Sequence, residues 1–344
     1  MDVESIVIDH IEGKRKNAFL LSLLFVLSLG YKIAIKTRNF FYDYLFLPCK
    51  PPAKIISIGN IVAGGSGKTP MTRYLAEQLS TIPTAVLTRG YLSKIEKSGN
   101  SICLSGKETD PIAYGDEPLV LMNQLPNAKI WIGKHRDLSA RLAVREGAKV
   151  LILEDGMQVR RLHKDLEIVM MNPKDLWGKG YYLPRGYLRD EPRRLKKASA
   201  IVLLPVYDED TYIRSQEELK KWTDAPVFGG KMIPQNLSLQ ESRVGVFCGL
   251  ANPERFLEML RNEKISIVGS LFSKDHEAPS REDLQVFADE CKSKGAQMLL
   301  CTEKDKIKIG FNISFPILAV DAKLNITYGK EKFDIMLEQF ISGI

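Results

Sequence analysis

Apolar and polar positions fall in blocks along this chain, and the blocks differ in kind. Lys54-Ile-Ile-Ser-Ile58, Thr84-Ala-Val-Leu-Thr88, Lys129-Ile-Trp-Ile132, Val150-Leu-Ile-Leu153, Glu167-Ile-Val-Met-Met171 and Ala200-Ile-Val-Leu-Leu204 are short and apolar without alternation. Longer stretches of mixed character separate them. Strands of this kind are buried on both faces, so the rhythm predicts a parallel sheet covered by helices. Residues 207 to 225 are polar and charged, and a smaller set of elements follows. Val244-Gly-Val-Phe-Cys248 and Gln297-Met-Leu-Leu-Cys301 read as strands. Asn252 before Pro253 caps one helix. Ser280 with Asp283 opens another, with Leu284, Phe287, Ala288 and Cys291 on its apolar face and Gly295 ending it. A last helix is predicted from about Lys332 to Ile341. The expected fold is α/β: an N-terminal apolar helical segment (residues 1–50), a parallel-sheet domain (51–225) and a second, smaller α/β domain (226–344).

The N-terminal pattern is different. Lys14-Arg-Lys16 precedes the apolar run Ala18–Leu29, then come Lys32, Lys36 and Arg38, then the aromatic cluster Phe40-Phe-Tyr-Asp-Tyr-Leu-Phe46. The apolar run falls short of the roughly 20 residues a helix needs to span hydrocarbon. A signal peptide would need a small-residue cleavage site, which does not follow. Two readings stay level: a buried core helix, and a helix lying in a membrane interface with basic residues at lipid phosphates and aromatics at headgroup depth. Retention of the segment implies a cytoplasmic protein that touches the inner face of a membrane.

Charge and cysteine content narrow the partners only a little. The formal net charge is +7, which favours anionic ligands without choosing among phosphates, nucleic acid and membrane. The five cysteines are scattered, without a zinc-like or paired spacing, as expected in a reducing compartment; Cys49, between prolines, is the one expected to be exposed. An aromatic and arginine-rich stretch, Tyr181 to Arg194, suits a phosphorylated glycolipid headgroup or a solvated basic loop equally. No RNA-recognition signature accompanies it, so no nucleic-acid partner is expected, and no protein partner is implied.

The chemistry is concentrated after the first strand. Val62, Ala63, Gly64, Gly65, Ser66, Gly67, Lys68 and Thr69 form a glycine-rich phosphate loop between a strand and a helix that opens at Pro70. Its glycines let backbone N–H groups turn toward phosphate oxygens, Lys68 meets the β- and γ-phosphates, and Thr69 offers a hydroxyl to Mg²⁺. The strict motif has glycine where this chain has Val62. Glu154 and Asp155 end an apolar strand where a P-loop NTPase-like sheet holds the carboxylate that assists Mg²⁺, although Asp155-Gly156 is also a common turn pair. ATP and Mg²⁺ are therefore the expected cofactors.

With these residues in view, the chain resembles the tetraacyldisaccharide 4'-kinase family. The resemblance rests on Gly59-Asn60, Gly64 to Pro70, Arg89-Gly-Tyr91, Gly115-Asp-Glu-Pro118, Glu154-Asp-Gly-Met-Gln158 and Thr302-Glu-Lys-Asp305, and runs from about residue 15 to 325. It implies a P-loop domain, a smaller C-terminal domain and an N-terminal helix that meets the membrane. It also implies transfer of the ATP γ-phosphate to the 4'-hydroxyl of an acylated glucosamine disaccharide 1-phosphate at the cytoplasmic face of the inner membrane. By the same resemblance Asp116 is the catalytic aspartate, His276 orients it, Glu117 assists the metal, Arg136 neutralises the transferring phosphate, and Gln158 belongs to the nucleotide side. The family usually has Asp-Asp-Gly and a later His where this chain has Glu154-Asp155-Gly156 and Val159, so Asp155 is expected to carry the main metal role. Two other classes fit the phosphate loop alone: another P-loop small-molecule kinase or ligase, and a membrane-associated nucleotide-binding switch.

Overall fold

The computed structural model describes residues 3–235, 242–250, 252–273 and 277–344, the side chains of 3–5 excepted. In chain order the helices are α1 (Val3–Ile11), α2 (Ala18–Tyr44), α3 (Lys68–Gln78), α4 (Lys94–Ser98), α5 (Pro111–Tyr114), α6 (Asp116–Gln124), α7 (Arg136–Arg145), α8 (Glu209–Lys220), α9 (Pro253–Asn262), α10 (Arg281–Ser293), α11 (Glu303–Lys308) and α12 (Lys330–Ser342). The strands are β1 (Lys54–Gly59), β2 (Thr84–Thr88), β3 (Ser101–Cys103), β4 (Lys129–Gly133), β5 (Val150–Glu154), β6 (Leu166–Met171), β7 (Ala200–Leu203), β8 (Val227–Pro234), β9 (Arg243–Cys248), β10 (Ser266–Phe272), β11 (Met298–Thr302), β12 (Ile317–Val320) and β13 (Ala322–Tyr328). Every strand expected from the sequence is present, and β3, β8, β10, β12 and β13 are added to them.

The chain forms two compact units, and each is interrupted in sequence. The first comprises Met1–Lys68, Lys149–Lys231 and Ile326–Ile344; the second comprises Thr69–Ala148 and Met232–Asn325. In the first, the strands stand in the order β8-β7-β6-β1-β5 and pair in parallel. β5, β6 and β7 are buried at every residue, as parallel strands covered on both faces must be. In the second, β2 pairs with β4 in parallel and β3 with β4 antiparallel. A separate sheet there has the order β10-β9-β11-β12, with all three pairings parallel. α9 packs its Phe256, Leu257 and Leu260 on one face of that sheet, among Val244, Val246 and Leu300. α10 packs Leu284, Phe287 and Ala288 with Phe247, Leu299 and Cys301.

The N-terminal segment departs from the expected short run. α2 is one helix of 27 residues that continues through Lys32, Lys36 and Arg38 to Tyr44. Asn17 caps it by accepting from the Leu20 amide at 3.1 Å. It is long and apolar enough to cross a membrane, by length and composition alone. Only Leu24, Ser28, Ile35 and Asn39 are buried, a narrow stripe at helical spacing. Phe19, Val26 and Ile33 are 81%, 63% and 64% exposed. The reading of an ordinary buried core helix therefore fails: the sequence pattern is apolar on most sides, and the protein covers just one.

Polar contacts fix the second half of α2. Asn39 Nδ2 donates to Asp190 Oδ1 at 2.9 Å, and Arg38 reaches Asp190 Oδ2 at 3.1 Å. Arg194 and Lys197 both donate to the carboxylate of Asp43, each at 2.8 Å. Asp190 is fully buried, and buried charge persists only with such partners.

Candidate active site

The first unit places the phosphate loop between β1 and α3. Asn60 Nδ2 donates to Ser66 Oγ at 2.7 Å, and Gln158 Nε2 donates to the Asn60 carbonyl at 3.0 Å. The first bond ties the start of the loop to Ser66, and the second holds Asn60 to the segment after β5. Val62 is in an extended bridge, antiparallel to Leu188, and the Ala63 amide donates to the Tyr187 carbonyl at 2.7 Å. The Val62 side chain packs against the cluster containing Met171, Leu188 and Leu195. The chain is thus still extended where the strict motif turns, and a branched apolar residue has a use there that glycine lacks. Gly67 is different: its φ is +86° and a Cβ would lie 2.3 Å from Leu204 Cδ2. Both facts restrict that position to glycine.

The carboxylate arrives from the neighbouring strand. β1 and β5 run in parallel with Ile58 opposite Glu154, so loop and acid leave the sheet at the same carboxyl edge, where such sheets bind ligands. Glu154 is buried and closes β5. Asp155 follows with φ 54°, a left-handed conformation that aspartate tolerates better than most residues. The Gly156 amide then donates to the Ile58 carbonyl at 2.8 Å and ties the turn back to β1.

Lys68 Nζ lies 3.5 Å from Asp155 Oδ1. Arg189 grips the same carboxylate with two nitrogens, one of them at 3.0 Å from Oδ2, and also donates to Asn60 Oδ1. Loop, acid and Gln158 therefore belong to one network. Two cations on one carboxylate leave positive charge for an incoming phosphate, and a guanidinium fork can hold Asp155 while Lys68 turns to the anion. The nearby phenols remain neutral donors: burial pushes Tyr182 up to about 12. Burial, and then the hydrogen bond to Glu12, push Tyr187 higher still. Thr69 follows Lys68 as the second residue of α3. The first unit alone thus brings Lys68, Asp155 and Gln158 together.

The second unit builds a separate acid site. Gly115, at φ +92°, turns the chain into α6, and Asp116 is its first residue, 6% exposed. Its Oδ1 accepts from the Glu117 amide at 2.9 Å. α11 brings Lys304 Nζ to 3.4 Å and Lys308 Nζ to 3.6 Å of Asp116 Oδ2. Lys304 is also 4.0 Å from Glu117. Lys308 is shared with Asp305 at 3.6 Å. Asp305 in turn accepts from Thr302 Oγ1 at 2.6 Å and from the Gly249 amide at 2.9 Å. Thr302 caps α11, so this capping turn aims both lysines at Asp116. Arg136 opens α7, is buried, and donates to the Gly133 carbonyl. His276 lies outside the described residues.

Three partners were not singled out in the sequence. Arg189 lay within the basic stretch weighed as a headgroup loop. Lys304 lies inside a motif to which the resemblance gives no role for it, and Lys308 lies three residues beyond that motif. No local pattern ties any of them to its acid.

The donor set bears on the expected Mg²⁺. Among the described residues no group of three or more His, Cys, Asp or Glu could hold a metal by itself. A threonine hydroxyl and a strand-end carboxylate, completed by nucleotide phosphates and water, is the kind of set Mg²⁺ takes, because it dehydrates reluctantly. The residues present fit that ion.

Comparison with known proteins agrees with this arrangement. The family model described as tetraacyldisaccharide-1-P 4'-kinase matches residues 20–342. The tetraacyldisaccharide 4'-kinase of Chlamydia pneumoniae is 37% identical, over 81% of this chain and 80% of its own. That of Syntrophus aciditrophicus is 33% identical over 96% of both. Among solved structures, LpxK from Aquifex aeolicus in complex with ATP superposes with a TM-score of 0.71 at 28% identity, covering 93% of this chain and 99% of the other. The match spans both units and every motif described above, and on that ground the chain belongs to the tetraacyldisaccharide 4'-kinase family.

Proposed function

We propose that this chain transfers the γ-phosphoryl group of ATP to the 4'-hydroxyl of a tetraacylated glucosamine disaccharide 1-phosphate, forming lipid IVA in lipid A biosynthesis. The observation that carries the reading is the pairing, within one family match, of a phosphate loop wired to Asp155 with a buried Asp116 flanked by lysines. The loop amides from Val62 to Thr69 and Lys68 bind the donor phosphates. Gln158 steadies the loop through Asn60. Asp155 would be the main Mg²⁺ carboxylate, and Thr69, Glu154 and Glu117 are the further candidates for its ligand set. When bound, Mg²⁺ neutralises charge on the phosphates.

Asp116 is the general base. It takes the proton of the 4'-hydroxyl as that oxygen bonds to the γ-phosphorus, and the bond to the departing ADP oxygen breaks. Lys304 and Lys308 compensate the charge of this buried carboxylate. His276 orients Asp116, and Arg136 meets the transferring phosphate; both roles rest on the motif match. The order of the motifs along the chain is read as a division of labour between a P-loop domain (51–225) and a smaller domain (226–344), a division by sequence that differs from the two interrupted compact units.

The enzyme works at the cytoplasmic face of the inner membrane. The exposed apolar flank of α2 supports an interfacial position. Five cysteines without a disulfide suit a reducing compartment. Incubation of the full chain with ATP, Mg²⁺ and the detergent-dispersed disaccharide 1-phosphate tests the activity. A 4'-phosphorylated product is expected, and its absence overturns the reading.

A further inference from the structure

The residues before the family match build something of their own. α1 ends in a turn in which the Asp9 carbonyl accepts from the Lys14 amide at 2.8 Å and from the Arg15 amide at 3.1 Å. Glu12 anchors that turn: it accepts from Tyr187 Oη at 2.8 Å and lies 3.4 Å from Lys179 Nζ. Between the turn, the first turn of α2 and Arg185 is a cavity of about 360 Å³. Its polar lining is His10, Arg15, Lys16 and Arg185, and its apolar side includes Ile11 and Leu21.

His10 is the unexplained group. It is 6% exposed, its Nδ1 lies 2.7 Å from the Ile6 carbonyl, and its Nε2 has no hydrogen-bond partner. A carbonyl can only accept, so Nδ1 carries the proton, and in that tautomer Nε2 presents its lone pair as an acceptor. A buried acceptor without a donor is costly. Three cations beside it call for an anion, and the acceptor calls for a hydroxyl on the same ligand. Arg15 is partly balanced by Asp9 at 3.3 Å. Arg185 is held over the Tyr181 ring at 4.6 Å. Phe25 and Leu29, four and eight residues after Leu21 on the same face of α2 and both exposed, continue the apolar side, which suits acyl chains.

We infer that this cavity binds the headgroup of an anionic phospholipid bearing a free hydroxyl, with phosphatidylglycerol as the chemical type. The phosphate sits among Arg15, Lys16 and Arg185, a headgroup hydroxyl donates to His10 Nε2, and the acyl chains lie along the first turns of α2. The inference rests on the interfacial reading of α2. It adds to that reading a headgroup-specific site formed largely by residues that precede the family match at residue 20.

Binding of the full chain to phosphatidylcholine vesicles, with and without phosphatidylglycerol, tests it. The wild type is expected to prefer the phosphatidylglycerol vesicles. Lys16→Gln should weaken that binding about fivefold, the effect of one cation at an anionic surface, and His10→Phe should weaken it as well. Lys14→Gln, two residues earlier and outside the cavity lining, should weaken it clearly less than Lys16→Gln. Equal losses for Lys14→Gln and Lys16→Gln would mean a diffuse basic surface and overturn the site. Lys16-dependent binding of glycerol phosphate in solution, with vesicle binding independent of Lys16, would make the occupant a free phosphate ester and overturn the lipid assignment. Kinase turnover of Lys16→Gln on detergent-dispersed acceptor should equal that of the wild type; a loss would assign the cavity to the substrate's own phosphate. Failure of the wild type to bind either vesicle sinks the interfacial reading itself. Binding that ignores both His10→Phe and Lys16→Gln sinks this cavity alone.

Discussion

Asp155 and Asp116 are both carboxylates flanked by two cations, yet their settings differ. Asp155 is 38% exposed at a strand end and pairs with both Lys68 and Arg189. Asp116 is buried at a helix start under Lys304 and Lys308. The first suits exchange of partners when phosphate enters, and the second suits a fixed base. Asp116→Asn keeps the shape and removes the proton acceptor, so kcat should fall by about 10²–10⁴-fold while the KM for ATP stays near wild type in steady-state assays. A parallel loss of ATP affinity would contradict its role as base. Arg189→Met removes a charge-assisted fork from Asp155 and Asn60. It should raise the KM for ATP about tenfold, the effect of roughly 1.4 kcal/mol. The thiols offer a check on packing: burial pushes Cys248 up to about 12, and burial followed by the Asp305 charge pushes Cys301 higher. Maleimide labelling of the native chain, read by mass spectrometry, should modify exposed Cys49 and spare Cys248 and Cys301 until the chain unfolds.

Among the elements, α2 shows how a helix can be fixed to a protein along one stripe. Its apolar contacts are few, and its polar ones converge on Asp190, Glu191 and Arg194. Asp190 precedes none of the chemistry but follows Arg189 directly, so the segment that grips Asp155 also grips the helix. Asp190→Ala leaves Arg38 and Asn39 short of an acceptor and should lower unfolding stability by about 1–3 kcal/mol, measured by urea denaturation. An unchanged midpoint would show that this contact does not hold the helix. The same element accounts for the mixed signal in the sequence. Twelve or so apolar residues end at Leu29, but helix geometry continues to Tyr44 because Lys32, Lys36 and Arg38 are good helix formers and no proline intervenes.

For the whole molecule, the distribution of exposed apolar surface separates membrane-facing from core-facing sequence. Phe19, Val26, Ile33 and Phe40 are all at least 57% exposed, so exchanging all four for Gln removes apolar surface without opening a cavity. Recovery of the protein with membranes after fractionation should drop strongly, with thermal stability in detergent little changed. Retained membrane recovery would place the attachment elsewhere. The second unit carries its own sheet of β10, β9, β11 and β12, and that sheet serves the site by carrying α11 at the end of β11, with Thr302 as the cap.

Much of this was legible along the chain. The buried parallel strands, the loop before α3 and the acid after β5 follow from local rules: unbroken apolar runs, glycines that permit unusual φ, and a charge placed where a strand stops. Those signals lie within a few residues of one another. Tertiary structure alone decided the partners. Asp155 meets Arg189 across 34 residues and Asn39 meets Asp190 across 151; neither spacing leaves a periodic trace. It also decided the meaning of Val62, whose side chain has a place only because Leu188 pairs beside it. The side of α2 that is left bare was likewise beyond the sequence, since a helix apolar on most faces reads alike in a core and in a lipid interface. Short-range chemistry is written in the order of residues, whereas burial and long-range ion pairing exist only once the chain has folded back on itself.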